Sequence, residues 1–330
     1  MNRDVIVVGA SAGGVEALRS MVATLPPDLP AAVLVVLHVP RESPSALPSI
    51  LARSGPLPAR AAVDGEPLKP GRIYVAPADH HLLVLDDHVR VSPGPTENGH
   101  RPAIDPLFRS AARAAGPRVI AVVLSGTRDD GAVGAVVVAA RGGTVVVQDP
   151  EDALHPAMPL AVMARLEPDH IAPAADLGAL LAGLVAEPLD RTEPASADDL
   201  LSDEVAIDAF APLTIDRITD APGAFGCPSC GGALIELTDQ EAPRYRCRVG
   251  HAWSPQSLLD EQAVATEGAL WTALRALEEK SALGRRMAGT RRSPGTGRLY
   301  TQMAEEAEQA GVLIRRLIQE LAGSSATTAE

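Results

Sequence analysis

The sequence predicts an α/β fold in which a doubly wound, mostly parallel sheet of the Rossmann-like type lies between layers of helices. Three short apolar runs, rich in β-branched residues, are typical of strands buried on both faces of such a sheet. Segments with helical spacing alternate with strand-like runs over roughly the first 185 residues, which is the order of elements in this fold class. The three strongest runs are Val5–Val8, Ala31–Leu37 and Val119–Leu124.

Composition fits this class and limits the functions to be considered. Hydrophobic residues make up 46% of the 330 residues and aromatic residues only 2%, so the core is built from Val, Leu and Ala. A net charge of −13 disfavours nucleic acid and anionic membranes as partners, because both would repel the chain. With no apolar run long enough to span a bilayer and no signal peptide before the first strand, we expect a cytoplasmic protein without membrane insertion.

The first strand leads into a glycine-rich turn and then a predicted helix over Val15–Leu25. Gly9, Ser11 and Gly13 form G-x-S-x-G, a pattern that exposes a serine oxygen on a sharp turn between strand and helix. A phosphate-binding turn has the same glycine-rich character, because its amide groups and the following helix attract an anion. These residues alone leave both interpretations open.

The second strand ends directly at His38, and the third ends in a loop that carries Asp129 and Asp130. Carboxyl ends of neighbouring strands line one crevice in open α/β sheets, so Ser11, His38 and an aspartate are expected to converge there. These are the parts of an acyl-transfer triad. The remaining predicted elements are strands or hairpin arms at 60–63, 72–76, 82–85, 89–91 and 143–148, and helices at 45–52, 104–115, 134–140, 159–166 and 177–185.

Main-chain amides near the triad are expected to stabilise an oxyanion. One donor is Ala12, directly after the serine, and the other comes from the Gly126–Arg128 turn, where we assign it to Thr127. The order Ser, His, Asp along the chain differs from that of the α/β-hydrolases, so a hydrolase of this kind belongs to another lineage.

Five segments in order resemble the catalytic domain of the chemotaxis protein-glutamate methylesterase family, CheB. They are V-G-A-S-A-G-G at 8–14, L-H-V-P at 37–40, G-R-I-Y-V-A-P at 71–77, H-R-P-A-I-D-P-L-F at 100–108 and L-S-G-T-R-D-D-G at 124–131. The resemblance covers about residues 4–185. It implies Ser11 as nucleophile, His38 as base and Asp130 as orienting carboxylate. It also implies hydrolysis of glutamate γ-methyl esters on the cytoplasmic helices of chemoreceptors, giving glutamate and methanol without a catalytic cofactor.

The sequence departs from the family pattern at the proposed oxyanion site. Thr127-Arg128 stands where the family usually has Met-Gly, and Ala12 where it often has threonine. Donation by main-chain amides survives both changes, because the side chain is not the donor. Arg128 either attracts a glutamate-rich receptor helix or is solvated, and we favour solvation.

Because the first strand begins so early in the sequence, we expect no receiver domain before it and no control by phosphorylation in cis. A separate receiver or signalling protein is then an expected partner. Other functions stay open: an esterase or amidase acting on another protein in a related pathway, or a non-catalytic binding module on the same fold. Nucleotide binding is disfavoured, since the turn is not G-x-G-x-x-G and His38 replaces an acidic ribose ligand. His100 either lines the substrate cleft or is a structural loop residue, and we favour the loop residue.

Beyond the catalytic domain, placed at 1–185, composition predicts four further segments. Residues 186–224 are expected to be an acidic flexible linker, because 187–208 hold eight acidic residues against one arginine. A zinc-ribbon-like module follows at 225–257, a helical hairpin at 258–322, and a disordered tail at 323–330. The hairpin's apolar stripes are expected to pack on the catalytic domain or on a second copy of the chain.

Every cysteine of the chain lies in the predicted zinc module. Cys227, Cys230, Cys247 and His251 have the spacing C-x₂-C-x₁₆-C-x₃-H. Thiolate and imidazole ligands in two closely spaced pairs are typical of a closed, structural Zn²⁺ site. The alternative is three unrelated free thiols.

Overall fold

The computed structural model describes residues 2–42, 45–189, 199–211, 225–237, 243–290 and 294–327. The chain divides into two compact units, Met1–Leu258 and Leu259–Glu330. In the described residues the strands are β1 Val5–Ala10, β2 Ala32–Leu37, β3 Ala59–Ala61, β4 Arg72–Val75, β5 His81–Leu85, β6 His88–Ser92, β7 Val119–Val123, β8 Thr144–Gln148, β9 His170–Ala172, β10 Leu234–Leu237, β11 Arg244–Cys247 and β12 Ala252–Trp253. The helices are α1 Gly14–Ala23, α2 Leu47–Ser54, α3 Ile104–Ala115, α4 Ala132–Ala140, α5 Ala157–Met163, α6 Ala174–Ala186, α7 Asp199–Asp208, α8 Pro255–Thr290 and α9 Pro294–Thr327.

The main sheet has seven strands in the order β3-β4-β2-β1-β7-β8-β9, and every neighbouring pair is parallel. Strand β1 is central and pairs with β2 on one side and β7 on the other. All residues of these three strands are buried, as expected for strands covered on both faces. The predicted fold class is confirmed.

One apolar core lies on each face of the sheet. Helices α1, α2 and α6 supply Leu18, Leu51 and Leu181 to the first core. Helices α3 to α5 and strand β5 cover the other face, with Phe108 and Leu82 among its fully buried side chains. The carboxyl ends of the parallel strands therefore lie at one edge of the sheet, between the two layers of helices.

The hairpin of β5 and β6 forms as predicted around Asp86 and Asp87. Both residues have positive φ angles, 47° and 60°, which suits the right-handed twist of a two-residue hairpin. Strand β9 was not predicted, because three residues are too few for a periodic pattern.

The prediction of a flexible solvated linker over 186–224 is wrong for part of that range. Residues Asp199–Asp208 form helix α7, and the carboxylates of Glu204 and Asp208 are buried. They pair with arginines that lie far away in the sequence, so a local count of charges could not reveal their burial. Residues 190–198 and 212–224 lie outside the described part of the chain.

Strands β10, β11 and β12 form a small antiparallel sheet at the end of the first unit. Its backbone joins the loop before α3: the Asn98 amide donates to the Ala252 carbonyl at 2.9 Å, and the Ala252 amide donates to the Thr96 carbonyl at 3.2 Å. The predicted boundaries of a separate module, 225–257, stay a prediction.

The second unit is built from α9 and the part of α8 that follows Leu258, close to the two helices predicted. Arg285 pairs with Glu308 and Glu278 with Arg315, so the two helices run antiparallel. Helix α9 continues to Thr327 through most of the predicted disordered tail. Among the described helices, none combines the length and apolar character that crossing a membrane requires.

Candidate active site

Ser11 lies at the first position after β1, where the chain turns into α1. Its amide donates to the Ser125 carbonyl at 3.0 Å, which ties this turn to the end of β7. Gly13 has a φ angle of 72°, and a Cβ there would meet the Ser125 hydroxyl at 2.6 Å. Glycine is therefore required at this position for both backbone conformation and space.

His38 follows β2 at the same edge of the sheet. Its Nδ1 lies 3.1 Å from the Ser11 hydroxyl and its Nε2 lies 2.8 Å from Asp130 Oδ2. The pairing register of β1 and β2 explains why Ser11 and His38 lie close together. Ala10 of β1 is paired with Leu37 of β2, and Ser11 and His38 come directly after these two residues. The structure thus brings the three sequence-predicted triad residues into one hydrogen-bonded line.

Asp130 is buried at the start of α4 and faces the first turn of α3. The amides of Ile104 and Asp105 donate to its two oxygens at 2.7 and 3.2 Å, and Asn98 Nδ2 donates at 3.2 Å. Burial alone raises the pKa of Asp130. The hydrogen bond and charge of His38, together with the Ile104 amide, outweigh burial and hold that pKa well below its ordinary value. Asp130 is therefore an anion at neutral pH.

Asp129, the other aspartate of the loop, faces away from His38. Arg165 binds its Oδ2 at 3.1 Å, and the hydroxyls of Ser254 and Ser257 both donate to its Oδ1 at 2.8 Å. Of the two aspartates, the structure therefore places Asp130 on the imidazole.

The turn that follows β7 packs directly against the serine. A Cβ on Gly126 would clash with the sulfur of Met158 and lie 2.9 Å from Ser11 Cβ. The Gly126 amide donates to the His155 carbonyl at 2.9 Å, whereas no hydrogen bond within the described residues is donated by the amide of Ala12 or Thr127. These two amides are the ones assigned to the oxyanion from the sequence.

His100 lines the cleft, which is the alternative that we did not favour from the sequence. It closes a tight turn with Glu97, and its ring stacks on that of His38, with centroids 3.8 Å apart and planes 9° from parallel. Burial, and then the charge of His38, lower the pKa of His100 to about 4, so this ring is neutral at pH 7. Asn98 was not identified from the sequence as a site residue. The only local indication of its role was its position two residues before His100.

A cleft of about 340 Å³ opens beside the histidine pair. Arg41 and Arg101, on its rim, both face Asp79 at 3.6 and 2.7 Å, so their charges are partly balanced. The lining residues are His38, Val39, Pro40, Arg41, Gly99, His100 and Arg101.

A second cluster holds the four predicted metal ligands. One ligand atom from each of Cys227, Cys230, Cys247 and His251 lies within 4.8 Å of all the others. The Cys230 and Cys247 sulfurs are 3.6 Å apart, and His251 Nδ1 is 3.8 Å from Cys227 and 3.5 Å from Cys247. Two thiolates on one tetrahedral zinc lie about 3.8 Å apart, given Zn–S bonds of about 2.3 Å, so the donor set fits Zn²⁺.

The fold and the site at the sheet edge define a class of α/β proteins. In this class, hydrogen-bonded Ser, His and Asp side chains lie at the carboxyl ends of parallel strands. The family model described as CheB methylesterase matches residues 6–181, more than half of the chain. The chain belongs to the CheB methylesterase family.

Two curated relatives and one solved structure show the extent of the likeness. A protein-glutamate methylesterase/protein-glutamine glutaminase of Methanosarcina mazei is 36% identical over 179 residues, covering 52% of this chain and 49% of its own length. One from Nocardioides sp. is 38% identical over 196 residues, covering 58% and 53%. The chain thus spans about half the length of these relatives. The crystal structure of the Thermotoga maritima CheB methylesterase catalytic domain matches with a TM-score of 0.54 and 33% identity, over 56% of this chain and 100% of that one.

Proposed function

We propose that this chain is a serine esterase that hydrolyses γ-methyl esters of glutamate on the cytoplasmic helices of chemoreceptors, giving glutamate and methanol. The observation that carries the proposal is the hydrogen-bonded line Ser11–His38–Asp130 in a member of the CheB methylesterase family. The proposal places the protein in the cytoplasm and the catalytic domain at residues 1–185.

In the first step Ser11 attacks the ester carbonyl carbon while His38 takes the serine proton. Because Asp130 is a carboxylate that only accepts hydrogen bonds, we assign the imidazole proton to Nε2, which leaves Nδ1 free to act as the base. The imidazolium that forms is stabilised by the Asp130 charge. The negative charge on the carbonyl oxygen is assigned to the amides of Ala12 and Thr127.

Collapse of the tetrahedral intermediate releases methanol, which leaves with the proton held by His38. Water, deprotonated by the same imidazole, then attacks the acyl-serine ester, and a second collapse frees the glutamate side chain and restores Ser11. The same sequence of bonds hydrolyses a primary amide, with ammonia in place of methanol.

Deamidation of glutamine is therefore a second candidate activity. The curated relatives carry the double name protein-glutamate methylesterase/protein-glutamine glutaminase, and the proposed site requires no further group for the amide reaction. Measuring ammonia and methanol from matched receptor peptides would separate the two activities.

The test of the esterase is methanol release from methyl-esterified receptor by the full chain. We expect Ser11→Ala and Asp130→Asn each to lower kcat by about 10⁴-fold. Asp129→Asn is the matched control and should cost far less, because Asp129 does not contact His38. Wild-type activity no higher than that of Ser11→Ala would rule the esterase out.

We further propose that Cys227, Cys230, Cys247 and His251 hold a structural Zn²⁺ ion. Four protein ligands leave no position for a reacting water, so the ion would stabilise β10–β12 and take no part in the chemistry. The separate receiver protein and the pairing of two chains through α8 and α9 likewise remain proposals, and neither is needed for the reaction.

A further inference from the structure

The segment that begins α8 lies outside the family match yet contacts Asp129 of the catalytic loop directly and Asp130 through Asn98. The Ser254 amide donates to Asn98 Oδ1 at 2.8 Å, and the hydroxyls of Ser254 and Ser257 donate to Asp129. Both serines are buried, with exposed fractions of 3% and 0%. These contacts lie within the first compact unit and are separate from the metal ligands.

Asn98 joins this segment to the triad carboxylate. Its Oδ1 accepts from Ser254, while its Nδ2 donates to Asp130 Oδ1 at 3.2 Å and faces Asp105 Oδ2 at 3.4 Å. The side chain is 1% exposed, so water does not replace these bonds readily. Asn98 is therefore a fixed bridge between Ser254 and Asp130.

This bridge restrains the rotation of the Asp130 carboxylate. Oδ2 faces His38, and Oδ1 is held by Asn98 and the Asp105 amide. Loss of the Asn98 amide would leave Oδ1 with one donor, and the carboxylate could then turn away from the imidazole. Placement errors of this kind, about 1 Å, are enough to cost about 100-fold in rate.

The second anchor holds the backbone next to Asp130. Asp129 receives both serine hydroxyls on one oxygen and Arg165 on the other, which fixes the peptide directly before the catalytic residue. Ser254 also accepts the Ser257 amide at 3.0 Å and so caps the start of α8. One helix start therefore holds the catalytic loop on two sides.

We propose that Asn98, Ser254 and Ser257 form a clasp through which the C-terminal extension positions Asp130 for catalysis. The three are positioning residues, since they act through Asp130 and Asp129. The kinetic part of the proposal rests on the esterase function proposed above. Its consequence is that esterase activity depends on a segment that the family match, ending at residue 181, does not include.

The kinetic test compares full-length Ser257→Ala, Ser254→Ala/Ser257→Ala and Asn98→Ala with the wild type. We expect the double serine variant to lower kcat for methanol release by about 10- to 100-fold with KM within about twofold. Thr266→Ala/Thr272→Ala is the matched control, because those two α8 hydroxyls bond only to carbonyls of their own helix. The control should keep kcat within about twofold.

A double-mutant cycle tests whether the three residues act as one unit. Adding Asn98→Ala to the double serine variant should cost less than the product of the separate losses, since both changes loosen the placement of Asp130, one at its carboxylate and the other at the backbone of Asp129. Unchanged kcat in the double serine variant, a change in KM alone, or fully multiplicative losses would each overturn the clasp.

Amide hydrogen exchange gives a readout that needs no activity. In Ser257→Ala, the mildest variant, we expect faster exchange in residues 98–105 and 126–131, with the amides of β1 unchanged. Absence of Ser11-dependent methanol release in the wild type would reject the esterase and leave the clasp to be decided by exchange. Unaltered exchange in both segments would reject the clasp.

Discussion

Two imidazole rings lie face to face at the candidate active site, but only that of His38 contacts both a hydroxyl and a carboxylate. His100 has its pKa lowered to about 4 by burial and by the neighbouring ring, so it does not take the serine proton at neutral pH. When His38 becomes an imidazolium during the reaction, it lies on the face of a neutral aromatic ring. A protonated ring on an aromatic face makes a cation–π contact.

Substitutions of His100 distinguish two roles of its ring: stacking on His38 and transfer of a proton. His100→Phe keeps an aromatic face and should retain kcat within about threefold, whereas His100→Ala should lose about tenfold, the equivalent of about 1.4 kcal/mol. Methanol release at saturating substrate measures both. His88→Ala, at an exposed histidine, is the control. Equal kcat values for the Phe and Ala variants would argue against a role for the ring face.

At the scale of elements, a buried ionic network joins α3, α7 and β11. Arg109 pairs with Glu97 and Asp208 at 2.5 and 2.7 Å, and Arg246 pairs with Asp208 and Glu204 at 3.1 and 3.4 Å. All five side chains are at most 5% exposed, so removal of one partner would leave an uncompensated buried charge. Glu97 precedes Asn98, and the network therefore also supports the loop that carries the clasp.

The small sheet of β10–β12 has a small apolar cluster, and we expect it to need the proposed Zn²⁺ ion to hold its shape. We expect about one zinc per chain in protein prepared without chelator, by elemental analysis. Chelation should lower the melting temperature and also kcat, because loss of this sheet frees the Ser254 segment. Cys230→Ala should reproduce both effects, and Val249→Ala, at an exposed position between two ligands, should not. Metal-free protein with full stability and activity would contradict the assignment.

Across the whole molecule, the sequence predicts the sheet and the contact between Ser11 and His38. Buried parallel strands are recognisable as short apolar runs rich in β-branched residues, and their carboxyl ends lie at the same edge of the sheet. It does not predict the contact between Asn98 and Ser254, which are 156 positions apart and have no local pattern. Helix α7 was not predicted for a similar reason. Its acidic residues are typical of a solvated linker, and only the structure shows that Asp208 is buried against Arg109 and Arg246.

Stability of the whole chain should depend on pH through buried His81. Its Nε2 donates to the Pro95 carbonyl at 2.8 Å and its Nδ1 accepts from the Ala103 amide at 3.2 Å, an arrangement that only the neutral ring can make. Burial is the main cause that lowers the pKa of His81 in the folded state. Below the unfolded value, about 6.5, the unfolded chain binds the proton first, so the free energy of unfolding falls as the pH falls.

For one such histidine the loss approaches about 1.4 kcal/mol per pH unit below pH 6.5, until the folded ring itself takes a proton. Urea unfolding at pH 7.5, 6.5 and 5.5 measures this slope. His81→Gln keeps a donor near Pro95 but cannot titrate, so its slope should be shallower than that of the wild type, whatever its absolute stability. His88→Gln, at an exposed histidine, should leave the wild-type slope unchanged. Parallel slopes for His81→Gln and the wild type would show that the His81 proton is not linked to folding.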